Sequence, residues 1–590
     1  MWPVTGLQAL AGEARLSGEL KKWHCVTLSV EGPHASETGD PNPFRDYRME
    51  VVFAQGDREI VVPGFFAADG NAAETSATEG NCWQARFTPD AEGRWTYHVR
   101  FRAGKNVAIS DDPAAGKAIS PDGLEGSFDV GPSDKQAPDF RATGMLQYVG
   151  ERYLKFAETG EYFLKCGADS PENFLAYYEF DGQPAEVPVA RKRREGEARS
   201  TKPHRYQPHV ADWRPGDPTW QGGKGKGIIG GLNYLASAGV NSVYFLTMNV
   251  AGDGNDVWPW IDPDTRDRFD VSKLDQWEIV FSHMTAKGIQ LHVILQETEN
   301  DQLLDGGALG ELRKLYLREL IARFAHHPAV MWNLGEENTN TDAQRKEFAE
   351  YIVSLDPWDH PVVVHTFPNK QEEVYRPLLG FPYLHGVSLQ LPPQRTHDET
   401  KKWVLESTKA GHQWVVDLDE IGPADTGVKP DADDPTHDFV RSRVLWANLC
   451  GGGGGCEWYF GYKYAHNDLN CEDWRSRANM WKQTRIAVDF FQEHVPFWDM
   501  LPADELIGDA DAYCFASPGK VYVVYMPPGS DEIELRLGNG RYTVSWFNPR
   551  EGGELQQGSV LAVTGPGPRA LGKPPRDPDA DWVVLVRREK

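Results

Sequence analysis

From about residue 140 to residue 500 the chain repeats one rhythm: a short apolar run, a loop, an amphipathic helix. Residues 227–238 place Ile229, Leu232, Leu235 and Ala236 on one helical face before Gly239. Leu274, Trp277, Val280, Phe281 and Met284 recur at helical spacing up to Gly288, and 309–324 repeats the pattern. Between these helices lie strand-like runs at 162–166, 243–247, 289–295, 362–365, 386–390 and 456–460, with two more ending at Glu337 and Glu420. Eight strands alternating with helices predict a parallel (β/α)8 barrel whose site lies at the C-terminal strand ends. An open doubly wound sheet is the alternative, but no Gly-rich nucleotide turn supports it.

The flanks read differently. Residues 26–30, 47–53, 60–62 and 95–101 alternate or are β-branched, with turn residues between them. The stretch 87–97 resembles the corner and penultimate strand of an immunoglobulin-like sandwich, and the Gly/Pro/Asp-rich stretch 111–138 reads as a linker. After Trp498, runs at 512–516, 521–525, 533–537, 542–546 and 582–586 predict a second small sandwich. The expected fold class is α/β: an N-terminal β-sandwich over 1–135, a (β/α)8 barrel over 136–502 and a C-terminal β-sandwich over 503–590. A chain of 590 residues suits two to four domains.

Composition narrows the partners. A formal net charge of −26 argues against nucleic acid, which needs a cationic footprint. No segment is long and apolar enough to span a bilayer. The seven cysteines (Cys25, Cys82, Cys166, Cys450, Cys456, Cys471, Cys514) show no CxxC spacing and fit neither a zinc site nor a disulfide framework. Twenty Trp and 21 Tyr suit sugar stacking, and equally the filling of large cores. The N-terminus shows no basic region followed by an apolar stretch, so either the protein is cytoplasmic or a secretion signal is absent from this sequence.

The chemistry concentrates in two segments. Val330-Met-Trp-Asn-Leu-Gly-Glu-Glu337-Asn and Trp414-Val-Val-Asp-Leu-Asp-Glu420-Ile-Gly422 are apolar runs that stop abruptly in carboxylates. A charge at the rim of a core is costly to desolvate, so two such strand ends point to paired catalytic acids at one mouth. Cleavage of a glycosidic bond needs such a pair. Proximity to Glu336 and Glu420 is expected to raise the pKa of Glu337.

With the barrel placed, Trp332-Asn-Leu-Gly-Glu-Glu337 resembles the strand-four signature of glycoside hydrolase clan A, in which Trp-x-Leu-Gly-Asn-Glu carries the acid/base. The Asp419-Glu420-Ile-Gly422 ending is similar to that clan's strand-seven signature, whose Glu is the nucleophile. The resemblance implies a retaining hydrolase with Glu337 as acid/base and Glu420 as nucleophile. Glu336 stands where the clan has an Asn that contacts the sugar 2-hydroxyl. The N-terminal sandwich is similar to a domain of unknown function that precedes such barrels. Trp546-Phe-Asn-Pro-Arg-Glu-Gly-Gly553 is similar to the sandwich, named for collagen binding, that closes apiosidase-like hydrolases. Export from the cytoplasm is the family expectation.

The remaining substrate-binding candidates follow from position. His365 and Gln390 close the fifth and sixth strands and should face the mouth, and Asn249 follows the second. Trp458 sits where clan A barrels place an aromatic floor, with Glu457 as a reserve acid. The run Gly451–Gly455 lacks the Lys-Ser/Thr of a phosphate loop and reads as close backbone packing. Acids at Asp253, Asp256, Glu297 and Glu299, and the loop 262–267, lack an EF-hand pattern, so neither metal nor cofactor is expected. The insertion 191–226 holds ten Lys/Arg against four Asp/Glu, suited to an anionic, sulfated or uronic sugar. Within it His204, Arg205, His209 and Trp213 are the contact candidates, and Arg191-Lys-Arg-Arg194 reads as a solvated charge run. The rival readings are a carbohydrate-binding protein on a barrel that has lost catalysis and, with poor physical support, a matrix adhesin.

Overall fold

The computed structural model describes residues 14–186 and 202–589. Eight parallel strands close into a barrel in chain order: β1 (Lys165–Ala168), β2 (Ser242–Leu246), β3 (Gln290–Ile294), β4 (Val330–Asn333), β5 (Val362–His365), β6 (Gly386–Leu391), β7 (Val415–Ile421) and β8 (Gly455–Trp458). The first strand starts later than expected because Tyr162 bridges back to Lys155. The fourth ends at Asn333, short of its acids. Helices α1 (Lys226–Ser237), α2 (Val271–Lys287) and α3 (Glu311–Phe324) occupy the expected stretches. The Asp270 carboxylate accepts from the Lys273 amide to start α2, and Gly288, at φ +71°, stops it.

Antiparallel sheets flank the barrel. On the N-terminal side, Ala14–Gly18, Val26–Ser36, Glu79–Phe87 and Phe65–Phe66 form one sheet. Arg58–Pro63, Tyr47–Gln55, Gly93–Ala103 and Lys117–Ala118 form the other, with Glu125–Val130 paired to Gly93–Ala103. Phe53 and Phe87 stack between them at 4.1 Å. On the C-terminal side a six-stranded sheet runs from Leu501–Pro502 to Ala562–Thr564, with a two-stranded ribbon beside it. Its Asp581 accepts from Arg441 at 2.8 Å and Tyr525 at 2.7 Å, and Tyr525 stacks on Trp446. All seven cysteines are free thiols. Among the described residues no helix is long and apolar enough to cross a membrane.

The barrel axis is polar. Strand alternation turns Lys165, Ser242, His292, Asn333, Asp417, Asp419 and Glu457 inward, where branched aliphatics usually fill such barrels. The Lys165 ammonium lies 2.9 Å from Asp417, 2.9 Å from Asp419 and 3.4 Å from Glu457. His292 Nδ1 meets Glu457 at 2.7 Å, the Ser242 hydroxyl donates to the same carboxylate, and Asn333 contacts His292 Nε2 at 3.1 Å. Burial alone would push Lys165 toward its neutral form, but the three carboxyls overcome it and hold its pKa above the usual lysine value. Replacing Lys165 by Met strands three buried acids. Equilibrium denaturation of Lys165→Met is expected to show a loss of about 3–5 kcal/mol, the usual cost of breaking a buried charge group.

Candidate functional site

Two local irregularities place the acids. In β7 the pairing to β6 runs Leu389 with Leu418 and then Gln390 with Glu420, so Asp419 is an extra residue. This bulge lets consecutive side chains face the axis, Asp419 toward Lys165 and Glu420 toward the mouth. After β4 the backbone turns at Gly335, at φ +141°, and Glu337 adopts the left-handed region at φ +44°. Such a conformation costs a non-glycine residue about 1–3 kcal/mol and persists only where its surroundings enforce it. Here Glu336 N donates to Gln296 O at 2.9 Å, and Asn338 Nδ2 donates to the Gly335 and His365 carbonyls. Arg345 holds the Asn338 side chain at 2.9 Å, and Thr339 donates its hydroxyl to Asp301 at 2.7 Å.

The two acids meet through one amide. Gln390 Nε2 donates to Glu337 Oε1 at 2.8 Å and to Glu420 Oε2 at 2.5 Å. Their oxygens are therefore no farther apart than those two bonds laid end to end. His365 Nε2 stands 3.6 Å from Glu420 Oε2, and its Nδ1 faces the Tyr244 hydroxyl at 3.3 Å. Tyr244 in turn donates to Glu336 at 3.3 Å. Burial, reinforced by Glu420 and Glu337, pushes Glu336 well above the usual carboxylate range. Burial, reinforced by His292, drives His365 down to about 3 and keeps it neutral. The mouth thus joins Glu336, Glu337, Glu420, His365 and Gln390, an arrangement able to move protons and present a carboxylate to a bound electrophile.

Other candidates from the sequence lie elsewhere. Trp458 is fully buried with its indole donating to Thr484 Oγ1 at 2.8 Å on the helix Ala478–His494, so it faces away from the axis and forms no floor. Glu457 faces inward but sits in the Lys165 network beneath the mouth. Both groups of the buried Asn249 amide close its own loop, to Asp256 Oδ1 at 2.7 Å and from the amides of Asp256 and Val257. His204 bridges Glu472 at 2.9 Å and Asn173 at 2.8 Å, and the Arg205 guanidinium lies over Tyr178. His209, fully buried, pairs with Asp212, and Trp213 donates to Pro218 O beneath the Lys226 ammonium. Glu472 and Asp473, distant in the chain, fix His204 and His209 in the scaffold, while Arg205 and Trp213 are engaged by Tyr178, Pro218 and Lys226. The run Arg191–Arg194 lies outside the described residues.

Three acids near this mouth were missed: Asp169, Glu172 and Asp468. Asp169 ends the run Leu164-Lys-Cys-Gly-Ala-Asp169, the same strand-then-carboxylate signal that marked Glu420. Burial raises all three, Asp468 to about 7. Among the described residues three clusters have metal-type ligands, and each already meets a cation: in the one at Glu19, His24 and Asp134, Lys21 lies 2.6 Å from Asp134 and Lys135 lies 3.3 Å from Glu19. Lys165 fills the one at Asp419, Glu457 and His292. Arg86 sits 3.1 Å from Glu278 in the one with His326 and His327.

Comparison with known proteins agrees with this architecture. Residues 19–102 match the family model described as "Domain of unknown function (DUF5060)". No curated protein matches the chain. Among solved structures, a protein of Bacteroides vulgatus ATCC 8482 provisionally assigned as a glycoside hydrolase is similar at TM-score 0.61 and 16% identity, over 96% of this chain and 99% of that one. A glycoside hydrolase family 5 protein of the same organism is similar at TM-score 0.52 and 14% identity, over 77% and 96%. A third, named glycoside hydrolase, is similar at 0.51 and 13%, over 77% and 99%. At these identities the likeness shows the fold.

The neutral His365 carries a measurable consequence. An ordinary His titrates near about 6.5, so a folded value near 3 means the unfolded chain binds the extra proton first. This group's contribution is complete above about pH 6.5 and is lost as pH falls toward 3. Nitrogen-15 spectra of the imidazoles should show His365 still neutral at pH 5; a protonated ring there would refute the assignment.

Proposed function

We propose that this protein is a glycoside hydrolase of the retaining type, with Glu420 as nucleophile and Glu337 as acid/base. The observation that carries the reading is the single Gln390 amide shared by the two carboxylates. Retaining enzymes hold their two carboxyls about 5–5.5 Å apart, and an amide that bonds both carboxylates sets an upper limit on their separation that is compatible with that spacing. The motif resemblance to clan A and the glycoside hydrolase names of the similar structures support the same reading.

Glu420 attacks the anomeric carbon while protonated Glu337 donates to the departing glycosidic oxygen. This leaves a glycosyl ester on Glu420 and a free alcohol. Ionised Glu337 then takes a proton from water, and the resulting hydroxide displaces Glu420 to release the sugar with its original anomeric configuration. Gln390 releases both carboxylates to the substrate and fixes their starting positions. Tyr244, whose hydroxyl burial keeps protonated, donates to Glu336, while neutral His365 lines the other side of Glu420. The insertion residues expected to meet an anionic sugar are engaged with the scaffold, so the reading stays at the level of carbohydrate.

Incubating wild type, Glu420→Gln and Glu337→Gln with neutral, uronic and sulfated glycans tests this. Wild type is expected to release products of retained configuration, read by proton NMR at early times. Glu337→Gln should lose about 10²–10⁴-fold in rate, the usual share of general acid–base catalysis, and Glu420→Gln should be inactive. Turnover unchanged in both variants removes the pair, and wild-type binding without cleavage favours a binding protein.

A further inference from the structure

Asp169 is the one acid near the mouth whose environment gives its carboxyl nothing to hold. It follows β1 directly, and alternation from Lys165 and Gly167 turns it to the axis. It is 1% exposed, and among the described residues neither carboxylate oxygen has a hydrogen-bond partner. Its backbone is fixed: Asp169 N donates to Trp458 O at 3.3 Å, Ser170 Oγ accepts from Phe460 N at 2.8 Å, and Ser170 O accepts from Trp474 Nε1 at 2.9 Å. Nearby acids are provided for. Asp417, Asp419 and Glu457 share Lys165, and Asp468 accepts from Glu172 N at 3.1 Å. A fully buried polar group without a partner is destabilising and calls for a reason.

The neighbours set the form of that carboxyl. Burial, then Asp468 and Glu420, raise Asp169 well above the usual carboxylate range, which favours its protonated form. A protonated carboxyl both donates and accepts, which matches a hydroxyl. Glu420 lies on β7, separated from β1 by β8 in the closed ring.

Resting on the hydrolase reading, we propose that Asp169 binds a hydroxyl of the sugar whose anomeric carbon faces Glu420, and that its partner is supplied by substrate. The residue is thus a specificity determinant kept at the expense of stability. A site built to bond a hydroxyl leaves its buried group unpaired when that hydroxyl is missing, and so rejects the deoxy analogue strongly.

Asp169→Asn and Asp169→Ala test this by two independent readouts. In thermal unfolding without ligand, both variants should melt at or above the wild-type temperature; a fall of several degrees in both would show that the carboxyl has a structural partner and overturn the proposal. The second readout uses a panel of 4-nitrophenyl glycosides of glucose, galactose, mannose, xylose and arabinose, followed by nitrophenol release and by saturation-transfer NMR. For the glycoside cleaved fastest, kcat/KM should fall at least tenfold in Asp169→Ala, mainly through KM, with Asp169→Asn retaining more because an amide also donates and accepts. Values within twofold of wild type in both variants overturn the proposal while leaving the hydrolase reading intact. If wild type binds glycosides without cleaving them, the hydrolase reading falls, and the same tenfold loss is then sought in Kd. A wild type that binds none of the panel overturns both.

Discussion

One buried ammonium organises this molecule. Lys165 stands on the barrel axis between Asp417 and Asp419 of β7 and Glu457 of β8, joining the first, seventh and eighth strands where the ring closes. A barrel filled with branched aliphatics closes by packing alone; this one closes on charge, with His292, Ser242 and Asn333 extending the network across the axis. Such a network is costly to break, because an unpaired lysine or carboxylate in it would be a buried ion. It therefore fixes the relative heights of the strands on which the mouth is built.

The mouth above it follows from that register. With Asp419 held down by Lys165, the extra residue in β7 turns Glu420 upward, beside Gln390. Gln390 then reaches Glu337, whose left-handed backbone is fixed by Gln296, Asn338, Arg345 and Asp301. The two acids and the amide between them are thus presented by three differently built supports: a bulged strand, a braced loop and a regular strand end. A loop braced by polar contacts on both sides of the acid holds its geometry as a strand end would.

Several of these features were readable in the chain. The strand runs were long enough, and the helices periodic enough, to count eight repeats. Glu420 announced itself as a carboxylate closing an apolar run, and Asp169 carries the same signal three residues beyond the stretch 162–166 that reads as the first strand. Other positions were not readable. Cys456-Glu-Trp-Tyr459 has no alternation of polar and apolar residues, so nothing local says that Glu457 turns inward and Trp458 outward. His204 and His209 looked available because Glu472, Asp473 and Asn173 are distant in sequence.

By itself the sequence determined the architecture: the number and order of barrel strands, the helices between them and the flanking sheets. Those rest on hydrophobic periodicity, which is local and survives in a linear string. Tertiary structure decided which polar groups belong to the scaffold and which face the mouth. That division depends on partners far apart in the chain and on the face each strand residue takes, which a shift of one residue reverses. Burial then shifts Glu336 and Asp169 upward and His365 downward, because desolvation exists only once the barrel has closed around them.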